Sequence, residues 1–307
     1  MNIAITGSTG LIGSALESSL TTSGHQVVRM VRTPVRSAAK EICWDPSAGK
    51  INTAALEGID AVVHLAGKSI AGGRWTPQKK RRIRESRIKG TSLLAESLAR
   101  LSKPPKVLIC ASAIGYYGDR GQEILTEESR SGTGFLPDVC REWENAAGPA
   151  AEKGIRVVIT RIGMVLSAAG GALATMLPAF RLGLGGRIGS GNQYMSWIAI
   201  DELVDIIRHA IQTESLHGPI NAVAPRPVTN LEFSKALGHL LSRPTILFLP
   251  SFAARFLLGE MADELLLAST RVVPARLEAS GYKFRFSLLE DALRHVLGKP
   301  TSRAARW

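Results

Sequence analysis

Hydrophobic positions follow two periods along the first 165 residues. Short runs in which nearly every position is apolar or β-branched read as strands: NIAIT from Asn2, HQVVRMV from His25, DAVVHLAG from Asp60, KVLICASA from Lys106 and GIRVVITRIGMV from Gly154. Between them the apolar positions fall three and four apart, which predicts helices. These are TGLIGSALESSLTTSG from Thr9, a long stretch from about Pro77 to Leu101, and the run containing DVCREWENAA from Asp138. Strands without an exposed polar face, alternating with helices, predict an α/β fold: a doubly wound parallel sheet of the Rossmann type, covered on both faces.

After about residue 166 the pattern loosens. GLGGRIGSGN, residues 183–192, is too rich in glycine for a regular element and reads as an ordered loop. Helices are expected near 201–213, 230–241, 251–267 and 287–297, with short strands such as PINAV between them. The predicted division is a dinucleotide-binding domain over 1–165 and a smaller α/β lobe over 166–300 that closes over the C-terminal edge of the sheet. Some elements of that lobe return to the first domain, and 301–307 reads as a frayed tail.

Charge narrows the partners. The chain of 307 residues carries 38 Lys+Arg against 26 Asp+Glu, a net +12, which favours anionic ligands. The densest run, KKRRIRESRIK at 79–89, interleaves Ile83 and Ile88 and reads as a solvated basic face on an amphipathic helix. No aromatic stacking platform accompanies it, so nucleic acid ranks last among the partners. No apolar run approaches the roughly 18–20 residues of a membrane span, and no membrane partner is expected. Cys43, Cys110 and Cys140 are scattered without metal-ligand spacing, so no metal is expected. MNIAITGSTG has no basic lead and carries a glycine cluster where a signal peptide would keep its apolar core, so it reads as the first strand, and a cytoplasmic protein with reduced thiols is the expectation.

The chemistry begins at TGSTGLIG, residues 6–13, between the first strand and the first helix. Gly7 permits a tight turn, Gly10 lets backbone approach a pyrophosphate, and Gly13 allows close packing of helix on strand. Thr9, Leu11 and Ile12 complete the turn and present helix N-terminal amides to the anion. An acid ending the second strand would hold the ribose hydroxyls of NAD. Here Met30, Val31 and Arg32 stand there, and Arg32 can pair with a 2′-phosphate, so NADP(H) is the expected cofactor.

The GxxGxxG spacing resembles that of extended short-chain dehydrogenases/reductases. His64-Leu65-Ala66-Gly67 resembles the motif closing the family's fourth strand beside the cofactor, and Trp197–Asp201 (WIAID) resembles a later strand-to-helix stretch whose acid is usually structural. WDPSAGKI, RWTPQKKRRIRESR, SAIGYYG, LGLGGRIGSGNQYMSWI and GEMADELLLASTRVVPARL resemble one subgroup, the poorly characterised epimerase family with its own C-terminal segment. The resemblance spans nearly the whole chain. It implies that Leu65, Ala66 and Gly67 border the cofactor and that Met164 follows the strand that passes the nicotinamide. Arg87, where relatives carry asparagine, would reach cofactor or substrate.

The same resemblance exposes a gap. The family's chemistry uses a tyrosine and a lysine four residues apart on one helix, the lysine lowering the phenol's pKa. With Glu144 as the anchor, those positions fall on Leu136 and Cys140, which can neither give a proton nor supply a fixed charge. Candidate chemistry remains in ASAIGYYG: Ser112 at the family's hydroxyl position, with Tyr116 or Tyr117 as proton donor. Arg187, Asn192 and Gln193 in the glycine loop are candidates for gripping a substrate. The preferred reading is an NADP(H)-binding oxidoreductase or epimerase-like enzyme acting on a small molecule that the sequence leaves unassigned. Its rivals are a non-catalytic NADP(H) sensor that contacts a protein partner and, last, a nucleic-acid binder.

Overall fold

A computed structural model describes residues 1–33 and 41–300; the expected tail at 301–307 lies outside them. Eight strands form one sheet: β1 (Asn2–Thr6), β2 (Gln26–Val31), β3 (Glu41–Asp45), β4 (Lys50–Ile51), β5 (Ala61–His64), β6 (Val107–Ala113), β7 (Arg156–Ile162) and β8 (Gly218–Ala222). Their order is β8-β7-β6-β5-β1-β2-β3-β4, and all neighbours run parallel except the β3–β4 hairpin. From β1 the chain winds outward to β2 and β3, then returns to β5 on the other side of β1. That reversal opens a crevice at the C-terminal ends of β1 and β5, where open α/β sheets bind ligands.

Alternation along β1 explains the two layers. Ile3 and Ile5 join the cluster containing Leu16 and Leu20 of helix α1 (Leu11–Thr22) and Leu203 and Ile207 of helix Ile200–Gln212. Ala4 faces the opposite cluster, with Leu94 and Leu98 of helix α2 (Pro77–Ala99). A third cluster gathers Leu173, Leu177, Phe180, Phe233, Leu237, Phe286 and Leu293, all from beyond residue 166. Among the described residues no helix is long and apolar enough to cross a membrane.

Two elements from beyond residue 166 return to the central sheet, and two others differ from the pattern-based expectations. PINAV joins the central sheet as β8, and the helix near 201–213 lies on its face, because both offer surfaces as apolar as those of the first half. The β3–β4 hairpin has no counterpart in the pattern; only two of its residues, Ile42 and Trp44, are buried, too few to advertise a strand. The single helix expected over 251–267 is broken at Gly259, whose φ of 62° ends Ser251–Leu258 before the short turns Glu260–Ala262 and Asp263–Leu267.

The last third is tied to the sheet by a buried acid. Glu202 is fully buried and accepts hydrogen bonds from the Tyr282 hydroxyl (2.6 Å) and from the amides of Arg285 (2.8 Å) and Phe286 (2.9 Å). Beside it Asp201 pairs with His295 at 2.6 Å, a structural role for the acid of WIAID. Glu202→Ala strands three donors in the interior and is expected to cost about 3–5 kcal/mol. Urea unfolding of the variant checks this; a loss under about 1 kcal/mol would contradict the tie.

Candidate active site

The phosphate turn is built as its glycines require. Gly7 holds φ +70°, and a Cβ there would sit 2.9 Å from the carbonyl carbon of Leu65; a Cβ on Gly13 would lie 2.1 Å from the carbonyl oxygen of Gly7. Helix α1 therefore starts flush against the ends of β1 and β5. Its N-cap, Gly10, offers no side-chain cap and its first turn holds no acid, so the amides there suit an anionic acceptor. Thr9 and Gly10 are exposed; Leu11 and Ile12 are half-buried. Val31 ends β2 and leads to the exposed Arg32, with no acid among residues 30–33.

His64 welds this edge together. Thr6 Oγ1 accepts from the amides of Leu65 and Ala66, both at 3.2 Å, so its proton points to His64 Nδ1 at 2.7 Å. The ring must then carry hydrogen on Nε2, which donates to Thr91 Oγ1 at 3.0 Å. Burial lowers the His64 pKa to about 4 and keeps the ring neutral. It packs edge-on to Trp44 and serves as a strand-end joint rather than a base.

At the end of β6 the sequence candidates separate. Ser112 is buried and donates to Glu144 Oε1 at 2.7 Å. Tyr117 is fully buried; its hydroxyl donates to Asn221 Oδ1 (2.7 Å) and accepts from Arg161 Nη1 (3.0 Å). Burial pushes its pKa up to about 12 despite the nearby guanidinium, so Tyr117 is a joint in the network and a poor proton donor. Tyr116 is half-buried, its ring face lies 3.5 Å from the Arg161 guanidinium carbon, and its hydroxyl has no hydrogen-bond partner among the described residues.

The residue that organises all three, Arg161 on β7, was missed by the sequence reading. Its Nε and Nη2 fork onto Glu144 of helix α3 (Phe135–Asn145) at 2.9 and 2.8 Å, with the two side chains 4% and 12% exposed. Burial works against its charge, but the hydrogen bonds and attraction from Glu144 outweigh it and hold the pKa above the ordinary arginine value. One signal was available: a charge interrupts the otherwise apolar VVITRI strand, and a buried charge demands a partner.

The positions of the absent pair are filled differently. Leu136 packs against Gly115 and shares an apolar cluster with Trp75, Ile83 and Met261. The thiol of Cys140 is buried, its pKa pushed up to about 12. Beside it lies the Arg87 guanidinium from α2, over the Trp143 ring at 5.0 Å and against Gly67. Arg87 Nη1 donates to the carbonyls of Lys68 (3.0 Å) and Ile83 (3.1 Å). A cation thus stands next to the lysine position, delivered by another helix.

The remaining candidates lie apart from this network. Met164 begins the strand Met164–Leu166 and packs its side chain on the lobe cluster. Gln193 is buried and donates to the carbonyls of Ile188 (3.0 Å) and Leu266 (2.9 Å), stapling the glycine loop. Arg187 is exposed over Phe248 and Asn192 is exposed; none of these three hydrogen-bonds to Ser112 or Tyr116 among the described residues. The basic helix is not simply a solvated face: Lys79 caps the carbonyls of Ala71, Gly72 and Gly73, Lys80 pairs with Glu260 at 2.7 Å, and Arg84 forks onto Glu142. Glu264 supplies both carboxylate oxygens to the amides of Phe135 and Leu136, capping α3 from the C-terminal segment.

Comparison with known proteins accords with this geometry. The profile of the NAD dependent epimerase/dehydratase family matches residues 3–223. This chain belongs to that family. A domain of unknown function, DUF1731, matches 249–296, the segment that carries Glu260 and Glu264. An epimerase family protein of Mycobacterium leprae is 44% identical, covering 97% of this chain and 96% of its own. The human epimerase family protein SDR39U1, crystallised with NADPH, superposes with a TM-score of 0.89 at 34% identity, covering 98% of this chain and 100% of that one. A nucleoside-diphosphate sugar epimerase from Corynebacterium glutamicum superposes at 0.81 with 41% identity, covering all of this chain and 60% of its own.

The His64 joint makes stability depend on pH. An unfolded imidazole takes a proton near pH 6.5, whereas the buried ring does so only near 4. Its stabilisation is complete above pH 6.5 and is lost as the pH falls toward 4, by up to about 3 kcal/mol. Chemical unfolding at pH 7 and pH 4.5 should show a larger drop for the wild type than for His64→Gln; equal drops would refute the assignment.

Proposed function

We propose that this chain is an NADP(H)-dependent oxidoreductase of epimerase-like type, acting on a small carbonyl or alcohol. The observation that carries the reading is the pairing of an uncapped phosphate turn with a rebuilt proton site at the end of β6. The residues present suit the cofactor: the α1 amides behind Gly7, Gly10 and Gly13 for its pyrophosphate, Arg32 for a 2′-phosphate where an acid would select NAD, and Leu65–Gly67 along its adenosine side. The human relative crystallised with NADPH supports the same choice. When bound, the nicotinamide supplies or takes up hydride.

The chain's own residues would manage the proton. Ser112 spends its hydrogen on Glu144, which leaves its lone pairs to accept from a substrate hydroxyl. Tyr116 is the candidate donor, since its hydroxyl has no competing partner and a guanidinium covers its ring. Arg161, locked by Glu144, fixes both groups. Arg87, beside Cys140 and Gly67, stands in for the lysine as the cation nearest the cofactor edge. Glu264 and Met261 from the C-terminal segment bury Leu136 and help exclude water.

A non-catalytic sensor reading draws on Leu136 and Cys140, which cannot carry the family's usual proton transfer. Nucleic-acid binding is disfavoured because acids and carbonyls already occupy Lys79, Lys80 and Arg84 of the basic helix.

Two measurements test the proposal. Arg32→Ala should weaken NADPH binding by about tenfold or more while leaving NADH binding unchanged; equal loss for both cofactors would overturn the NADP assignment. Across a panel of carbonyls and alcohols, Tyr116→Phe should lower kcat by about 10²-fold or more with NADPH affinity intact. Undiminished turnover would remove Tyr116 from the chemistry, and a wild type that binds NADPH without turning over any member would favour the sensor.

A further inference from the structure

Twelve large hydrophobic side chains are exposed among the described residues, and eight of them lie in two short segments: Leu182 and Leu184, then Ile246, Leu247, Phe248, Phe252, Phe256 and Leu257. The segments adjoin. Strand Gly186–Ile188 pairs with Leu247–Leu249, and Gly183 abuts Pro244. Phe252 and Phe256 stand one turn apart on helix Ser251–Leu258, which starts directly after that strand, with Ser251 against Gly189. Phe252 and Phe256 are each 75% exposed and Ile246 is 85% exposed, so these side chains project from the surface.

Size selects the kind of occupant. Allowing about 150–250 Å² for a fully exposed aromatic side chain and less for an aliphatic one, the face presents roughly 800 Å² of apolar surface. That exceeds the roughly 300–600 Å² of the largest patch on an ordinary monomer, and it matches the roughly 800 Å² that each partner hides in a standard protein interface. An exposed face of this size is unfavourable in water unless something covers it.

We propose that this face is a twofold interface and that its occupant is a second copy of the same chain. Strand Leu247–Leu249 pairs on one side only, with Gly186–Ile188, among the described residues. Its open edge can pair antiparallel with its own copy, an arrangement a twofold axis generates without further adjustment. The phenylalanines that follow would then meet across the axis. Charge does not prevent this. Segments 182–191 and 242–258 contain no acid, and each of their three arginines has a contact within its own chain: Arg255 pairs with Asp263 at 2.8 Å, Arg187 stacks over Phe248 at 5.5 Å, and Arg243 donates to the Arg181 carbonyl at 2.7 Å. The covered helix leads into Glu260 and Glu264, which hold α2 and α3, so dimerisation would brace the segment that closes the candidate active site.

Light scattering coupled to size exclusion tests the interface on the full chain. The wild type is expected to have twice the chain mass at micromolar concentrations and a concentration-dependent thermal midpoint. The double variant F252S/F256S and the single variant F248K alter exposed side chains and should remain folded by circular dichroism, yet dissociate at least about tenfold more readily. A wild type monomeric at the highest soluble concentration would overturn the proposal. So would variants as dimeric as the wild type, or a monomer that sediments with phosphatidylglycerol vesicles and loses that binding in the variants, which would mark the face as a lipid-docking surface.

Discussion

A buried ion pair underlies the arrangement of the candidate site. Arg161 on β7 and Glu144 on α3 face each other with almost no water access, and each is tolerable there only because the other is present. Their pairing fixes α3 against the sheet, and through it Ser112 on β6, Tyr117 in the turn that follows, and Asn221 on β8. Replacing the pair with apolar side chains could leave the packing intact, since buried ion pairs often add little net stability. Orientation would then be lost: Ser112 would have no carboxylate to donate to, and no guanidinium would lie against the Tyr116 ring.

This arrangement accounts for the departures at Leu136 and Cys140. In the family's usual design one helix carries both the proton donor and the cation. Here α3 carries neither; it contributes an anion, Glu144, and an apolar plug, Leu136. The cations come from elsewhere, Arg161 from the sheet and Arg87 from α2. An arginine cannot be relocated by one or two residues without moving its partners, because its planar fork needs acceptors at fixed angles. A carboxylate on α3 for Arg161, and backbone carbonyls with an indole face for Arg87, supply them.

Local regularity made most of the fold legible in the sequence. The strand–helix alternation and the glycine turn each depend on residues near one another in the chain, which periodicity and spacing reveal, whereas the gap at Leu136 and Cys140 shows only against the family resemblance. The Arg161–Glu144 pair, the His64 joint between Thr6 and Thr91, and the Glu202 tie to Arg285 and Phe286 join residues 17 to 84 positions apart. No local pattern marks those connections; only the rule that buried polar groups need partners hints that they exist. The basic helix misled for the same reason. Its charge is plain in the sequence, whereas the groups that engage Arg84, Lys80 and Lys79 (Glu142, Glu260 and the carbonyls of the 71–73 turn) arrive from three other places.

The C-terminal segment shows how such distant ties build a site from separate elements. Glu264 places a carboxylate on the N-terminal amides of α3, where the helix dipole favours negative charge, and Glu260 ties the segment to α2 through an ion pair with Lys80. Glu264 binds the Leu136 amide and Met261 packs on its side chain, so the position that would carry a tyrosine in relatives is covered by residues more than 120 positions later. A tyrosine at that position would need room and an open approach for substrate, and the seal supplies neither. The proposed function accordingly brings substrate in from the β6 end, at Ser112 and Tyr116. On this argument two elements close over the positions of the missing pair: the C-terminal segment covers Leu136, and Arg87 of α2 stands beside Cys140.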